Sequence, residues 1–246
     1  MDRIVILGAT SEIAQQVQRV LASKGKRLLL VGRSAERLEI VAADLRVRGA
    51  REVITFKADL ADVSQHSQVI GFVLQHFPDL ECVLLAYGTM QDQEECRHSV
   101  EMSLREWQTN FVSAAALLTL FADMLETRRC GCIAAITSVA GDRGRKSNYV
   151  YGAAKGALSL FLQGLRGRLH DSGVRVLTIK PGPVKTPMTA GLRQDRMFAD
   201  PVSVARDICR ALENDSKDIL YTPWYWRYVM AVVKLIPEAV FKRVSI

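Results

Sequence analysis

The sequence predicts an α/β fold: a doubly wound parallel sheet of about seven strands with helices on both faces, ending in an amphipathic tail. Three observations carry this expectation. Short apolar runs alternate with longer helical stretches from one end of the chain to the other, as repeated β-α units require. Most of these runs are nearly continuous in hydrophobic residues, as strands covered on both faces must be. No internal repeat and no Pro/Gly/Ser-rich linker interrupts the 246 residues, a length that α/β folds reach as one domain.

The strands are expected at Arg3–Leu7, Arg27–Val31, Glu52–Lys57, Cys82–Ala86, Ile133–Thr137, Arg175–Ile179 and Asp218–Tyr221, joined by right-handed helical crossovers. Glu12–Ser23 and Glu36–Arg48 are two of those helices. The longest uncharged stretch, Trp107–Ala122, contains Asn110 and reads as a buried helix. It is shorter than the roughly 20 apolar residues that span a bilayer. The opening run Ile4–Leu7 is too short for a signal-peptide core, so a cytoplasmic location is expected. Residues 1–222 form the expected nucleotide-binding domain. Residues 223–246 form an aromatic and basic tail, either part of that domain or in contact with a membrane.

Five cysteines without a CxxC pair and four scattered histidines give no metal-ligand spacing, so free thiols and no metal are expected. The net charge of +7 points to an anionic partner: nucleic acid, membrane surface or a phosphorylated small molecule. No groove-reading motif or basic-aromatic platform supports nucleic acid.

Strand one runs into Gly8-Ala9-Thr10-Ser11-Glu12-Ile13-Ala14 and then a helix. Small residues there let backbone N–H groups approach a pyrophosphate at a helix N-terminus, where the dipole favours negative charge. Alone the signal is weak, because two glycines of G-x-G-x-x-G are missing and an ordinary strand-to-helix turn reads the same way. Strand two ends in Val31-Gly32-Arg33-Ser34. An acidic residue at that point would accept from a ribose 2′-OH, whereas Arg33 suits a 2′-phosphate, with Ser34 as a second contact. NADP(H) is therefore the expected cofactor.

Tyr151 and Lys155 stand one turn apart at the start of a long helical pattern, so phenol and ammonium share a face. A phenol ionises near pH 10, and a nearby cation brings it towards the working range. Ser138 ends the fifth strand, thirteen residues before the tyrosine.

With these motifs in order from Ile4 to about Tyr221, the chain resembles the short-chain dehydrogenase/reductase family. The resemblance implies that Gly8, Thr10, Ser11, Glu12 and Ile13 belong to the cofactor turn and that Asp59 and Leu60 contact the adenine. It places Ala86 and Gly88 beside the cofactor, and Pro181, Gly182, Val184 and Thr186 beside the nicotinamide. Asn110, Ser138, Tyr151 and Lys155 match the catalytic positions, and Tyr151 and Lys155 also touch the cofactor. Tyr151 would protonate a carbonyl oxygen and Ser138 would hydrogen-bond it. Lys155 would hold the ribose and lower the tyrosine pKa, and Asn110 would hold a relay water. The family also implies a homodimer or homotetramer through the Trp107–Met124 and Tyr151–Leu169 helices. Two residues depart from its pattern: Glu12 replaces a glycine and brings a carboxylate to the pyrophosphate turn, and Tyr87 replaces a small residue and narrows the cleft.

Two further segments bear on the substrate, a carbonyl compound that is either a small molecule or lipid-linked. Arg143, Arg145 and Lys146 precede the catalytic helix and either anchor a substrate phosphate or form a solvated loop. The tail carries Trp224 and Trp226 with four basic residues against one acid, Glu238. It either lies on an anionic bilayer at the inner membrane face, with Trp224, Trp226, Val229, Val233 and Ile236 as the lipid-facing set, or packs over the cleft or a subunit interface. Together these segments resemble the decaprenylphosphoryl-2-keto-pentose reductase branch, which implies a lipid-linked keto-sugar. A catalytically silent NADP-binding regulatory or scaffold protein is the alternative, which turnover of NADPH with ketones would exclude.

Overall fold

Alternation along the strands sets the layers. In β1 (Arg3–Leu7), Ile4 and Ile6 enter one apolar core while Val5 and Leu7 enter the other. The computed structural model describes residues 1–214 and 217–243, so the last three residues of the expected tail lie outside it. After β1 come α1 (Glu12–Ser23), β2 (Arg27–Gly32), α2 (Ala35–Val47), β3 (Glu52–Lys57), α3 (His66–His76) and β4 (Cys82–Leu85). Then follow α4 (Gln93–His98), α5 (Val100–Trp107), α6 (Ser113–Arg128), β5 (Gly131–Ile136), α7 (Tyr149–Leu169) and β6 (Val174–Pro181). The chain finishes with α8 (Pro201–Glu213), β7 (Ile219–Thr222), α9 (Trp226–Leu235) and α10 (Glu238–Phe241).

All strand pairs are parallel, in the order β3-β2-β1-β4-β5-β6-β7. The chain therefore reverses its direction of travel across the sheet between β1 and β4. That reversal opens a crevice beyond the carboxyl ends of the strands. Helices α1, α2 and α8 cover one face through Val17, Leu38, Leu45 and Ile208; α3, α6 and α7 cover the other through Val73, Phe121, Leu158 and Leu162. The seven expected strands are all present, two with the expected bounds and five with one or both ends moved by one or two residues. Side chains cap five of these helices: Ser11 accepts the Ala14 N–H, Ser34 the Arg37 N–H, Asp92 the Glu94 and Glu95 N–H groups, Ser99 the Met102 N–H and Asp200 the Ser203 N–H.

One expectation needs correction. Trp107–Ala122 is not one helix: Gln108–Val112 forms a π turn between α5 and α6, and Asn110 lies inside it. A 3.6-residue period cannot register such a turn, because the apolar pattern on either side continues.

The tail packs inward. Trp226 and Met230 bury against Val139, in the short 3₁₀ turn after β5, with Val229 and Val233 partly buried beside them. The Arg143 guanidinium lies 3.8 Å from the Phe241 ring centroid and donates to the carbonyls of Val233 and Ile236. The face turned outward is a different stripe of α9 and its lead-in: Trp224, Tyr228, Val232 and Leu235. The set expected to face lipid is thus out of register, because the core takes Trp226, Val229 and Val233.

Candidate active site

A cleft of about 830 Å³ lies at the β1/β4 reversal. Of the residues expected to touch cofactor, all but Ser34 line it: Gly8, Thr10, Ser11, Glu12, Ile13, Arg33, Asp59, Leu60, Ala86, Gly88, Tyr151, Lys155, Pro181, Gly182, Val184 and Thr186. Most stand on turns that leave the carboxyl ends of strands or in the first turn of α1, and Tyr151 and Lys155 stand in the first two turns of α7, which is why residues so far apart in sequence meet here.

At the pyrophosphate end, Gly8 has φ +84°, and a Cβ there would come within 2.5 Å of the Tyr87 Cβ. The turn after β1 is thereby pressed against the chain leaving β4. Tyr87 still lines the cleft, but its hydroxyl is tied to Ser113 Oγ at 3.0 Å. The Gly8 and Ala9 N–H groups donate to Val31 O at 2.9 and 3.0 Å. The part of the turn facing an anion is therefore the α1 N-terminus, with Thr10, Glu12 and Ile13 on the cleft wall. Glu12 Oε1 accepts from Gln16 Nε2 at 2.7 Å, so the carboxylate that departs from the family pattern is held along its own helix.

At the end of β2, Arg33 and Arg37 both line the cleft, and neither makes an ion pair among the described residues. Sequence reading missed Arg37, although its spacing of four from Arg33 was visible. Ser34 does not line the cleft; its hydroxyl caps α2. Asp59 is oriented by its neighbours, its N–H donating to Gln65 Oε1 and its Oδ1 accepting from the Ala61 N–H.

On the opposite wall, Ser138 follows β5 and accepts the Ala140 N–H at 3.1 Å. The turn it begins packs closely on α7: a Cβ on Gly141 would lie 2.6 Å from the Gly156 N. That contact brings Ser138 to Tyr151. Burial pushes the Tyr151 phenol up to about 12; the Ser138 hydrogen bond pulls it down and the Glu106 charge raises it further. Burial also pulls the Lys155 ammonium down to about 8, against the opposing pull of Glu106. The expectation that Lys155 lowers the tyrosine pKa is not met in this cleft. Nζ stands 5.8 Å from the Tyr151 ring centroid, and desolvation of the phenol dominates.

Asn110 is not on the cleft wall. It is buried one layer behind, where its Nδ2 donates to Glu106 Oε1 at 2.8 Å and to Thr89 O at 3.0 Å. Its Oδ1 accepts the Thr89 N–H at 3.2 Å. Sequence reading overlooked Glu106, one helical turn before Asn110; nothing in a surface-type residue at that position signals burial.

Beyond Tyr151, the three cations of the loop separate. Arg143 is bound to the tail, with Glu238 as its ion-pair partner at 3.1 Å, and Lys146 is exposed and off the cleft. Arg145 lines the cleft with Asn148. Burial pulls its guanidinium below the usual range, and its Nη2 contacts the Met230 sulfur at 3.4 Å. The nearby Asp142 is engaged by Lys180 and by Tyr221 Oη. Arg145 Nε and Asn148 Oδ1 are buried with no hydrogen-bond partner among the described residues. Pro181 and Gly182 complete the wall, Gly182 lying so close to the Trp226 indole that any side chain there would clash.

The reversal of strand order and the set of side chains at its mouth define a dinucleotide-fold oxidoreductase. A model described as short chain dehydrogenase matches residues 2–197. The chain belongs to the short-chain dehydrogenase family. It is 34% identical over 240 residues to an uncharacterized oxidoreductase of Mycobacterium tuberculosis, covering 98% of this chain and 96% of the relative. An uncharacterized oxidoreductase of Streptomyces coelicolor is 33% identical over 245 residues, covering 99% and 96%. Among solved structures, a short chain dehydrogenase/reductase family protein aligns with a TM-score of 0.77 at 26% identity, over 89% of this chain and 94% of the other. Actinorhodin polyketide ketoreductase, solved with NADPH, aligns with a TM-score of 0.79 at 20% identity, over 90% and 95%. No helix among the described residues is long and apolar enough to cross a membrane, and none of their side chains cluster as a metal site.

Proposed function

We propose that this protein is an NADP(H)-dependent reductase of a carbonyl compound that carries an anionic group. The observation that carries this reading is one cleft with the unpaired cations Arg33 and Arg37 at one end, Ser138 and Tyr151 on its wall, and the unpaired cation Arg145 beyond them. The cradle fits the cofactor: the Gly8 turn admits no side chain, and the two arginines meet the need of a 2′-phosphate for cations. A bound nicotinamide supplies the hydride. Tyr151 Oη donates its proton to the carbonyl oxygen as the alcohol forms, and Ser138 Oγ hydrogen-bonds that oxygen. Lys155, buried beside the tyrosine and lining the cleft, is placed to hold the cofactor ribose, and Asn110 braces the wall from the layer below. In the opposite direction the phenolate takes the alcohol proton.

Arg145 sets the substrate class. A half-buried guanidinium with no carboxylate at ion-pair distance among the described residues is costly unless the ligand brings the counter-charge. Replacing it by Met is expected to raise KM for a phosphorylated or carboxylated ketone by about tenfold or more, the scale of one hydrogen bond to a charged group. A neutral ketone of similar size should keep its kcat/KM. Equal loss on both substrates would overturn the assignment.

The lipid-linked form of such a substrate, a polyprenyl-phosphate keto-sugar, is favoured by the outward stripe of Trp224, Tyr228, Val232 and Leu235, flanked by Arg227 and Lys234. Removing the whole tail is a poor test, since truncating a buried Trp such as Trp226 costs roughly 3–5 kcal/mol. Trp224→Ser with Leu235→Ser spares that core. The wild type is expected to bind anionic vesicles at low salt and to release them as salt rises, and the double variant to bind at least about tenfold more weakly. A wild type indifferent to those vesicles would exclude the membrane reading. A homodimer or homotetramer through the Trp107–Met124 and Tyr151–Leu169 segments is part of this proposal, consistent with exposed Val112 and Leu160.

A further inference from the structure

Two buried side chains of opposite charge face each other across the layer behind the cleft without forming an ion pair. Glu106, on α5, is 1% exposed, and Lys155, on α7, is 4% exposed. No cation lies within ion-pair distance of Glu106 among the described residues, and Lys155 Nζ has one long contact, to Ile136 O at 3.4 Å. Asn110 stands between them. Its Nδ2 donates to Glu106 Oε1 at 2.8 Å, while its Oδ1 and Lys155 Nζ flank one point above Gly88. A Cβ placed there would be 2.5 Å from Oδ1 and 3.1 Å from Nζ. The other carboxylate oxygen, Oε2, accepts from Thr89 Oγ1 at 2.7 Å, and Thr89 lines the cleft.

We propose that Glu106 is a positioning residue: it clamps Asn110 and Thr89 through its two oxygens and is the internal counter-charge that keeps Lys155 protonated behind Tyr151. Carboxylate geometry explains the choice of residue. Two convergent donors need two acceptor oxygens, which a glutamine offers only in part. Burial alone would strip both groups of charge, so each gains from the other across a medium of low dielectric. The other titratable groups near Glu106 are the Tyr151 phenol on α7 and the Cys96 thiol on α4, which Asp92 and Glu95 also influence. The Glu106 charge raises both, and Lys155 is the cation that lowers Glu106 in return.

The inference rests on the proposed reductase reading only for its consequence in turnover, so the test separates the two. In the apo protein, the Lys155 ammonium is titrated by NMR of 13C-labelled lysine, with Lys155→Met assigning the signal. Glu106→Gln removes the charge and is expected to lower the Lys155 midpoint by about one pH unit, in the range for an opposite charge lost nearby. The alkaline limb of kcat/KM should move down with it, while KM for NADPH changes less than about threefold. Glu106→Asp keeps the charge but retracts the clamp, so the Lys155 midpoint should stay close to wild type while kcat falls by about tenfold. An unchanged Lys155 midpoint in Glu106→Gln overturns the proposal. If that variant does not fold, an unchanged kcat in Glu106→Asp overturns it. A shifted midpoint in a protein that reduces no carbonyl would sustain the inference and reject the proposed function.

Discussion

Tyr151→Phe is expected to lower kcat for carbonyl reduction by about 10²–10⁴-fold, the usual contribution of a placed acid or base. NADPH affinity, read by fluorescence titration, should change by less than about threefold, because the phenyl ring still fills the wall that the phenol occupied. The variant removes the hydroxyl, and with it the proton and the hydrogen bond to Ser138, and keeps the ring. Wild-type pH dependence gives a second check, and its sign follows from the two shifts. Tyr151, pushed up to about 12, keeps its proton throughout the ordinary range, so reduction is not limited by loss of that proton. Lys155, pulled down to about 8, loses its charge as pH rises through that value. Reduction should therefore hold below pH 8 and decline above it. Oxidation gains from proton removal and should be favoured at higher pH. Retention of more than about a tenth of wild-type kcat in the Phe variant would remove Tyr151 from the mechanism.

The second large effect concerns the cofactor. Arg33→Ala should weaken NADPH by about 1.5–3 kcal/mol, the range for a hydrogen bond to a charged group, and leave NADH nearly unchanged. Arg37 stands one turn further along α2 on the same cleft wall, so the doubly substituted protein should lose most of its preference for NADPH. The measurement is a pair of fluorescence titrations, NADPH and NADH, against wild type and both variants. Equal affinity for the two cofactors in the wild type would remove the role given to these arginines.

The cofactor half of the cleft was legible because it is built from local signals. Gly8, Arg33 and Asp59 each sit just beyond a strand, and apolar runs locate strand ends to within one or two residues. The placing of Tyr151 and Lys155 one turn apart on α7 was legible for the same reason, since they are neighbours by helical geometry alone. Their ionisation was not. The expectation of a lowered phenol assumed that the cation would decide, whereas burial outweighs it here. Asn110 was found by its position, but its π turn and its place behind the wall were invisible to a periodic pattern.

In the basic loop, composition counted three equivalent cations, and packing made them unlike. Arg143 anchors the tail, Lys146 is exposed, and Arg145 alone reaches the cleft. The tail likewise announced an amphipathic helix but not which stripe was the inner one. Trp226 rather than Trp224 goes inside because Gly182 leaves room for one indole against the loop after β6. By itself the sequence determined the parallel sheet, its reversal point and the chemical types around it, since these follow from hydrophobic period and strand-end residues. Only the tertiary structure decided which charges are buried, which are paired and which face the cleft. Burial and pairing depend on elements far apart in the chain: the Lys155 charge on α7 acts on Glu106 on α5, and Arg143 pairs with Glu238 of the tail.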